Sequence, residues 1–217
     1  MSEPELTVPE QADRETLGAF AARAVRLSSD ALVRLRGRPG DGGRNTVEAW
    51  VATPFDALVT RTVAGTVAPT DTTVPGNELL AAVTVAGGRV MNPGQPCDLY
   101  WNSELPRGQG WHTIEELPAR VVSDLAEKGG NLARENLGPR GTPPTSLLDQ
   151  TVLTVHDADR EVTIPMRCLF AMSGMGFLGG DVDSETVRVR VTDSWLRLDA
   201  RYGAVVRRRR ALLPLLT

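Results

Sequence analysis

Two stretches of this chain alternate apolar residues with arginine, one by one. In Ala31–Arg38, Val33 and Leu35 alternate with Arg34, Arg36 and Arg38. Near the other end Val187, Val189 and Val191 alternate with Arg188 and Arg190. A period of two sends successive side chains to opposite faces of a strand, so each stretch must present one face to a core and the other to water. The neighbouring apolar runs Thr46–Ala52 and Ala57–Val63, broken at Pro54, are joined by short connections. Short connections predict antiparallel neighbours, because parallel strands need a long crossover.

Helical spacing appears between these strands. Leu17, Phe20, Ala21 and Ala24 predict a helix over 14–28 after Asp13, and Asn77 opens a second over 78–86. Residues 89–113 show no period and read as a long structured loop. Pro118 opens a third helix, expected to stop at Gly129-Gly130, with a short helix over 131–137 behind it. Thr151–Val155 and Glu161–Ile164 form a hairpin, and the apolar run 165–177 suits a buried helix. The fold class that follows is α+β, with antiparallel sheets near both ends, packed helices and a helical middle. Residues 1–12 read as a disordered acidic arm. Residues 13–138 and 145–217 read as two α+β regions divided in Gly138–Pro144, with one continuous domain as the alternative.

With 217 residues, 41% of them hydrophobic, and a net charge of −3, the chain can bury a core and is not drawn to nucleic acid as a whole. Arginine occurs 23 times and lysine once, a bias explained by G/C-rich codons before any phosphate-binding role. The acidic start lacks a secretory signal, and the longest apolar stretch, 79–87, is too short for a membrane helix. The expectation is a cytoplasmic protein with reduced thiols and no membrane partner.

Enzyme templates fail one after another. No Gly-x-x-x-x-Gly-Lys loop, complete dinucleotide fingerprint or Gly-x-Ser-x-Gly elbow is present. Cys97, His112, His156 and Cys168 include no closely spaced ligand pair, so no metal site is expected, and no cofactor is implied. Glu115 and Glu116 precede a helix, where the dipole accounts for them.

Two features stand above this background. The segment 98–112 concentrates Tyr100, Trp101 and Trp111, with Trp101, Glu104, Arg107, Trp111 and His112 as candidate binding residues. They form either a pocket rim or anchors for the loop. Near the C-terminus Arg207, Arg208, Arg209 and Arg210 precede an apolar end containing Leu212, Leu213, Leu215 and Leu216. The arginines can contact phosphates or an acidic partner, and the leucines are expected to dock on this chain or on a second copy.

Leu58–Val63, Leu105–Trp111 and Tyr202–Arg208 resemble segments of conserved hypothetical proteins from high-GC, actinobacterial-type genomes, a resemblance that implies no activity. The functional expectation is therefore a non-catalytic cytoplasmic binding or assembly protein of otherwise unknown function, homo-oligomeric, with room for a protein partner. Two alternatives stand beside it. One is a weak, non-specific nucleic-acid binder using the arginine strands. The other is a small-molecule protein or enzyme using the aromatic loop.

Overall fold

Both arginine-alternating stretches are strands. The computed structural model describes residues 3–40, 43–85, 88–135, 143–157, 160–180 and 182–209, and it divides into two units, each α+β. The first comprises 1–54, 58–104 and 174–176; the second comprises 55–57, 105–173 and 177–217. The main division in sequence thus falls between Glu104 and Leu105, whereas the sequence pattern placed a break in Gly138–Pro144.

The first unit runs β1 (Glu5–Thr7), α1 (Gln11–Leu27), β2 (Leu32–Arg38), β3 (Thr46–Thr53), β4 (Ala57–Ala64), β5 (Thr66–Ala68), β6 (Asp71–Pro75), α2 (Gly76–Val85) and β7 (Val90–Met91). Its main strands lie in the order β6-β2-β3-β4, and a small sheet has the order β5-β1-β7. In β2, Val33 stands opposite Val74, and Leu35 opposite Ala49 and Thr72. These residues are buried, as are Leu17, Phe20, Ala21 and Ala24 of α1 and Leu79 of α2. α1 lies against β3 and α2, and α2 lies against β2 and β6. The stretch read as an acidic arm contains β1 instead, with Leu6 fully buried and the Val8 N–H donating to the Arg89 carbonyl at 2.8 Å. Residues 71–75, polar in composition, form β6 because Thr72, Thr73 and Val74 are buried against β2. Gly76 opens α2 by donating to the Ala31 carbonyl, and an added Cβ would sit 2.9 Å from that oxygen.

The second unit runs β8 (His112–Pro118), α3 (Ala119–Glu135), α4 (Thr145–Leu148), β9 (Thr151–Asp157), β10 (Arg160–Pro165), α5 (Met166–Gly174), β11 (Thr186–Val191), β12 (Trp195–Ala200) and β13 (Gly203–Arg208). Its sheet has the order β13-β12-β11-β8, with β9 and β10 as a separate hairpin. β9–β10, β8–β11, β11–β12 and β12–β13 all pair antiparallel. Val187, Val189 and Val191 face inward, and Met166–Met172 are buried throughout. The expected stop at Gly129-Gly130 does not occur: α3 continues to Glu135. Gly129 is buried there because α5 comes close, and a Cβ on it would meet the Met166 side chain. The glycine answers a packing demand and ends nothing. Residues 136–142 and the apolar end 210–217, including Arg210, lie outside the described residues.

Candidate functional site

The aromatic segment is pinned to an edge strand. The Asp98 carboxylate accepts the Thr73 N–H of β6, and the Cys97 N–H donates to the Thr73 carbonyl at 2.8 Å. A 3-10 turn, Asp98–Tyr100, follows. Trp101 is half-buried beside it; its indole N–H donates to the Ser103 carbonyl, and the Arg34 guanidinium lies 5.9 Å from its ring centre. The turn instead leaves Leu99 95% exposed and Tyr100 73% exposed. Sequence reasoning weighed the tryptophans and missed this pair, which only the turn's orientation reveals.

Trp111 belongs to the second unit. Arg190 and Arg197 lie 6.0 and 5.9 Å from its ring centre. His112 begins β8, exposed and opposite Val191. Glu104 and Arg107 are exposed. Trp101 and Glu104 therefore sit in one unit, and Arg107, Trp111 and His112 in the other.

The strand arginines share a solvent-facing side with carboxylates. Arg34 donates to Asp71 through Nε and Nη2 at 2.7 and 2.9 Å, Arg36 reaches the same carboxylate at 3.4 Å, and Arg38 meets Glu48 at 3.1 Å. The bond to Asp71 raises the Arg34 pKa further above its ordinary value. In the second unit Arg188 meets Glu116 at 2.8 Å, and Arg190 and Arg197 flank Asp199 at 2.6 and 2.7 Å. Cross-strand neighbours, and for Arg197 a neighbour two positions along β12, supply the counter-charges, so these faces are not bare basic stripes.

A different arrangement lies at the start of α5. Arg167 is 4% exposed. Its Nη1 donates to the Phe55 carbonyl at 2.9 Å and to Asp56 at 3.3 Å, and its Nη2 donates to Asp149. Arg207 approaches the same two carboxylates from β13, at 3.4 and 4.0 Å. Beside this cluster opens a cavity of about 350 Å³, lined among others by Asp149, Thr151, Thr163, Arg207, Arg208 and Arg209. Cys168 is buried next to Arg167 in sequence; burial pushes its thiol up to about 12, against the opposing pull of Arg207 and Arg167. A thiol held neutral at physiological pH is no nucleophile. The arginine run was visible in the sequence, but Arg167, Asp149 and Asp56 were not. Among the described residues no cluster of histidine, cysteine and carboxylate could hold a metal ion, and no helix is long and apolar enough to cross a membrane.

Comparison with known proteins follows the division into units. Residues 1–103 match a domain of unknown function (DUF8010), and residues 105–212 match another (DUF8185). The chain thus fits an uncharacterised family architecture. No curated protein matches the sequence. The fold is similar to the DNA polymerase sliding clamp of Bacillus subtilis, at 13% identity and a TM-score of 0.58, covering 95% of this chain and 64% of the clamp. It is also similar to the sliding clamp of Caulobacter crescentus, at 14% and 0.56, covering 95% and 65%. The DNA polymerase beta subunit of Streptococcus pyogenes gives 11% and 0.56, covering 94% and 64%. This chain spans just under two thirds of the length of each. At such identities the likeness is one of fold. It nevertheless corrects the expectation of a generic cytoplasmic binding or assembly protein of unassignable function: the architecture is one carried by proteins named for DNA polymerase. No motif could have shown this, because at 11–14% identity the fold persists in burial pattern and strand order, not in recognisable segments.

Proposed function

We propose that this chain is a clamp-like, DNA-associated protein that works as an assembly of its own copies, in the cytoplasm and alongside protein partners. The observation that carries this reading is the coverage: 95% of the chain takes a clamp fold while filling 64% of a clamp chain. The unmatched third of the clamp is about the length of one of the two units seen here. Closed self-assembly of repeated copies is the usual way such a structure is completed. Each family match then corresponds to one folding domain, divided at Glu104/Leu105. The arginine-for-lysine bias supports a GC-rich genome as its source.

Charge agrees with a clamp better than with a conventional DNA-binding face. The net charge is −3 and the strand arginines are paired. Binding by phosphate neutralisation would need unpaired cations and would weaken steeply with salt. A protein that holds DNA by enclosing it needs neither.

The test uses the full chain. Light scattering after size-exclusion chromatography is expected to give a homo-oligomer. Protein crosslinked around nicked circular DNA is expected to resist high salt and to be released when the circle is linearised. A monomer at all concentrations, or retention that is the same on linear and circular DNA, would overturn the proposal.

A further inference from the structure

From the geometry of the second unit we infer a binding site for a phosphate group in the cavity beside β13, held by Arg207 and Arg209 with the hydroxyls of Thr151 and Thr163. This inference is independent of the clamp reading. β13 ends at Arg208, and Arg209 continues beside the start of β12: its backbone N–H donates to the Ser194 carbonyl at 2.8 Å, and its Nη1 to the Thr192 carbonyl at 3.1 Å. Three consecutive arginines border one cavity of about 350 Å³ at this strand end. That size is within the range of small-ligand sites.

Counter-charge is what separates this place from the rest of the molecule. Five of the six sheet arginines hold a carboxylate at 2.6–3.1 Å, and Arg36 shares Asp71 with Arg34 at 3.4 Å. Among the described residues, Arg207 has the longer contacts, 3.4 Å to Asp56 and 4.0 Å to Asp149, and its buried Nε has no hydrogen-bond partner. Asp149 is engaged by Arg167. Glu161, the other carboxylate at the cavity, is 66% exposed and faces His156 at 3.9 Å. Among the described residues, the Arg209 guanidinium meets a backbone carbonyl, that of Thr192. Guanidinium forks match the oxygens of a phosphate, and the two hydroxyls add further donors. A phosphodiester of nucleic acid and a small free phosphate share this chemistry.

Arginine side-chain Nε–H resonances of the full chain would be followed during titration with two probes, inorganic pyrophosphate and a short single-stranded oligodeoxynucleotide. The signals of Arg207 and Arg209 are expected to move. Movement with pyrophosphate alone identifies a small phosphate ligand; movement with the oligonucleotide, falling steeply with salt, identifies nucleic-acid phosphates. Arg209→Gln lies outside the buried ion cluster, so its fold should survive, as the melting temperature verifies. It is expected to weaken binding about tenfold and to lower the oligonucleotide's salt slope by about 1. Arg188→Gln, on the paired sheet face, is expected to leave binding unchanged. No movement with either probe, undiminished binding in Arg209→Gln, or an equal loss in Arg188→Gln would overturn the site. None of these results would touch the circular-DNA test.

Discussion

The arginines of this protein fall into two groups that look alike in sequence and differ in surroundings. On the sheet faces, Arg34, Arg36 and Arg38 in the first unit and Arg188, Arg190 and Arg197 in the second each meet a carboxylate of the same sheet, and a tryptophan lies beside part of each set. Around α5, Arg167 is almost fully buried among a carbonyl and two carboxylates, and Arg207 shares those carboxylates at longer range. Exposed pairs gain little, because water competes with each bond. A buried guanidinium depends on every acceptor, because water no longer offers a replacement. Counter-charge and burial, and not arginine itself, decide what an arginine does here.

The sharpest way to break this distinction is to remove one carboxylate of the buried cluster. Asp149→Ala leaves Arg167 buried, with the Phe55 carbonyl and Asp56 as its remaining described acceptors, and Asp56 is itself 78% exposed. The expected loss is about 3–5 kcal/mol by urea denaturation. Arg167→Met should cost less: the carboxylates it abandons are reachable by water, and the new side chain fills similar volume in an apolar helix. Equal losses, or an Asp149→Ala effect below about 1 kcal/mol, would show that the cluster behaves like the sheet faces.

The sequence carried one half of this contrast well. Alternation located the strands holding Arg34 and Arg188, because a half-buried strand writes its two faces directly into residue order, and short connections located β3 beside the first of them. The apolar run at 165–177 likewise became α5. Other elements were hidden by physical causes. β6 buries Thr72 and Thr73, polar in composition but shielded by β2. α3 passes through Gly129-Gly130 because α5 needs the space. The cluster was hidden by distance along the chain: Asp149 and Asp56 lie 18 and 111 positions from Arg167. Arg207 and Arg209 could be singled out from the charge run, but nothing local showed that they lack close counter-charge.

The two thiols sharpen the comparison at an intermediate scale. Cys168 lies beside the buried cluster, and burial raises its pKa from 9.0 to about 12. Cys97, at the edge of the first unit, is also raised by burial, with help from Asp98 and Glu78. A raised folded-state pKa means that the folded chain keeps its proton longer than the unfolded chain. The associated stability is therefore intact below about pH 9 and declines from there toward 12. Melting temperature is expected to fall over this window, and to fall less in Cys168→Ala. Cys97 should alkylate well before Cys168 at mildly alkaline pH. Equal labelling rates, or an unchanged alkaline slope in Cys168→Ala, would remove burial as the cause.

The smallest effect belongs to the sheet face. In the Arg188–Glu116 pair both side chains are about half exposed, 54% and 47%, and each can return to water when the other is lost. Arg188→Gln is therefore expected to change stability by less than about 1 kcal/mol, and the change should shrink further in high salt as screening weakens the pair. Arg34→Gln should cost somewhat more within the same range, because Arg34 holds Asp71 through two bonds and also lies over Trp101. Urea denaturation at low and high salt measures both. A loss above about 2 kcal/mol for Arg188→Gln would exceed what an exposed pair can supply. The sheet arginines would then share the dependence on every acceptor that the contrast reserves for Arg167.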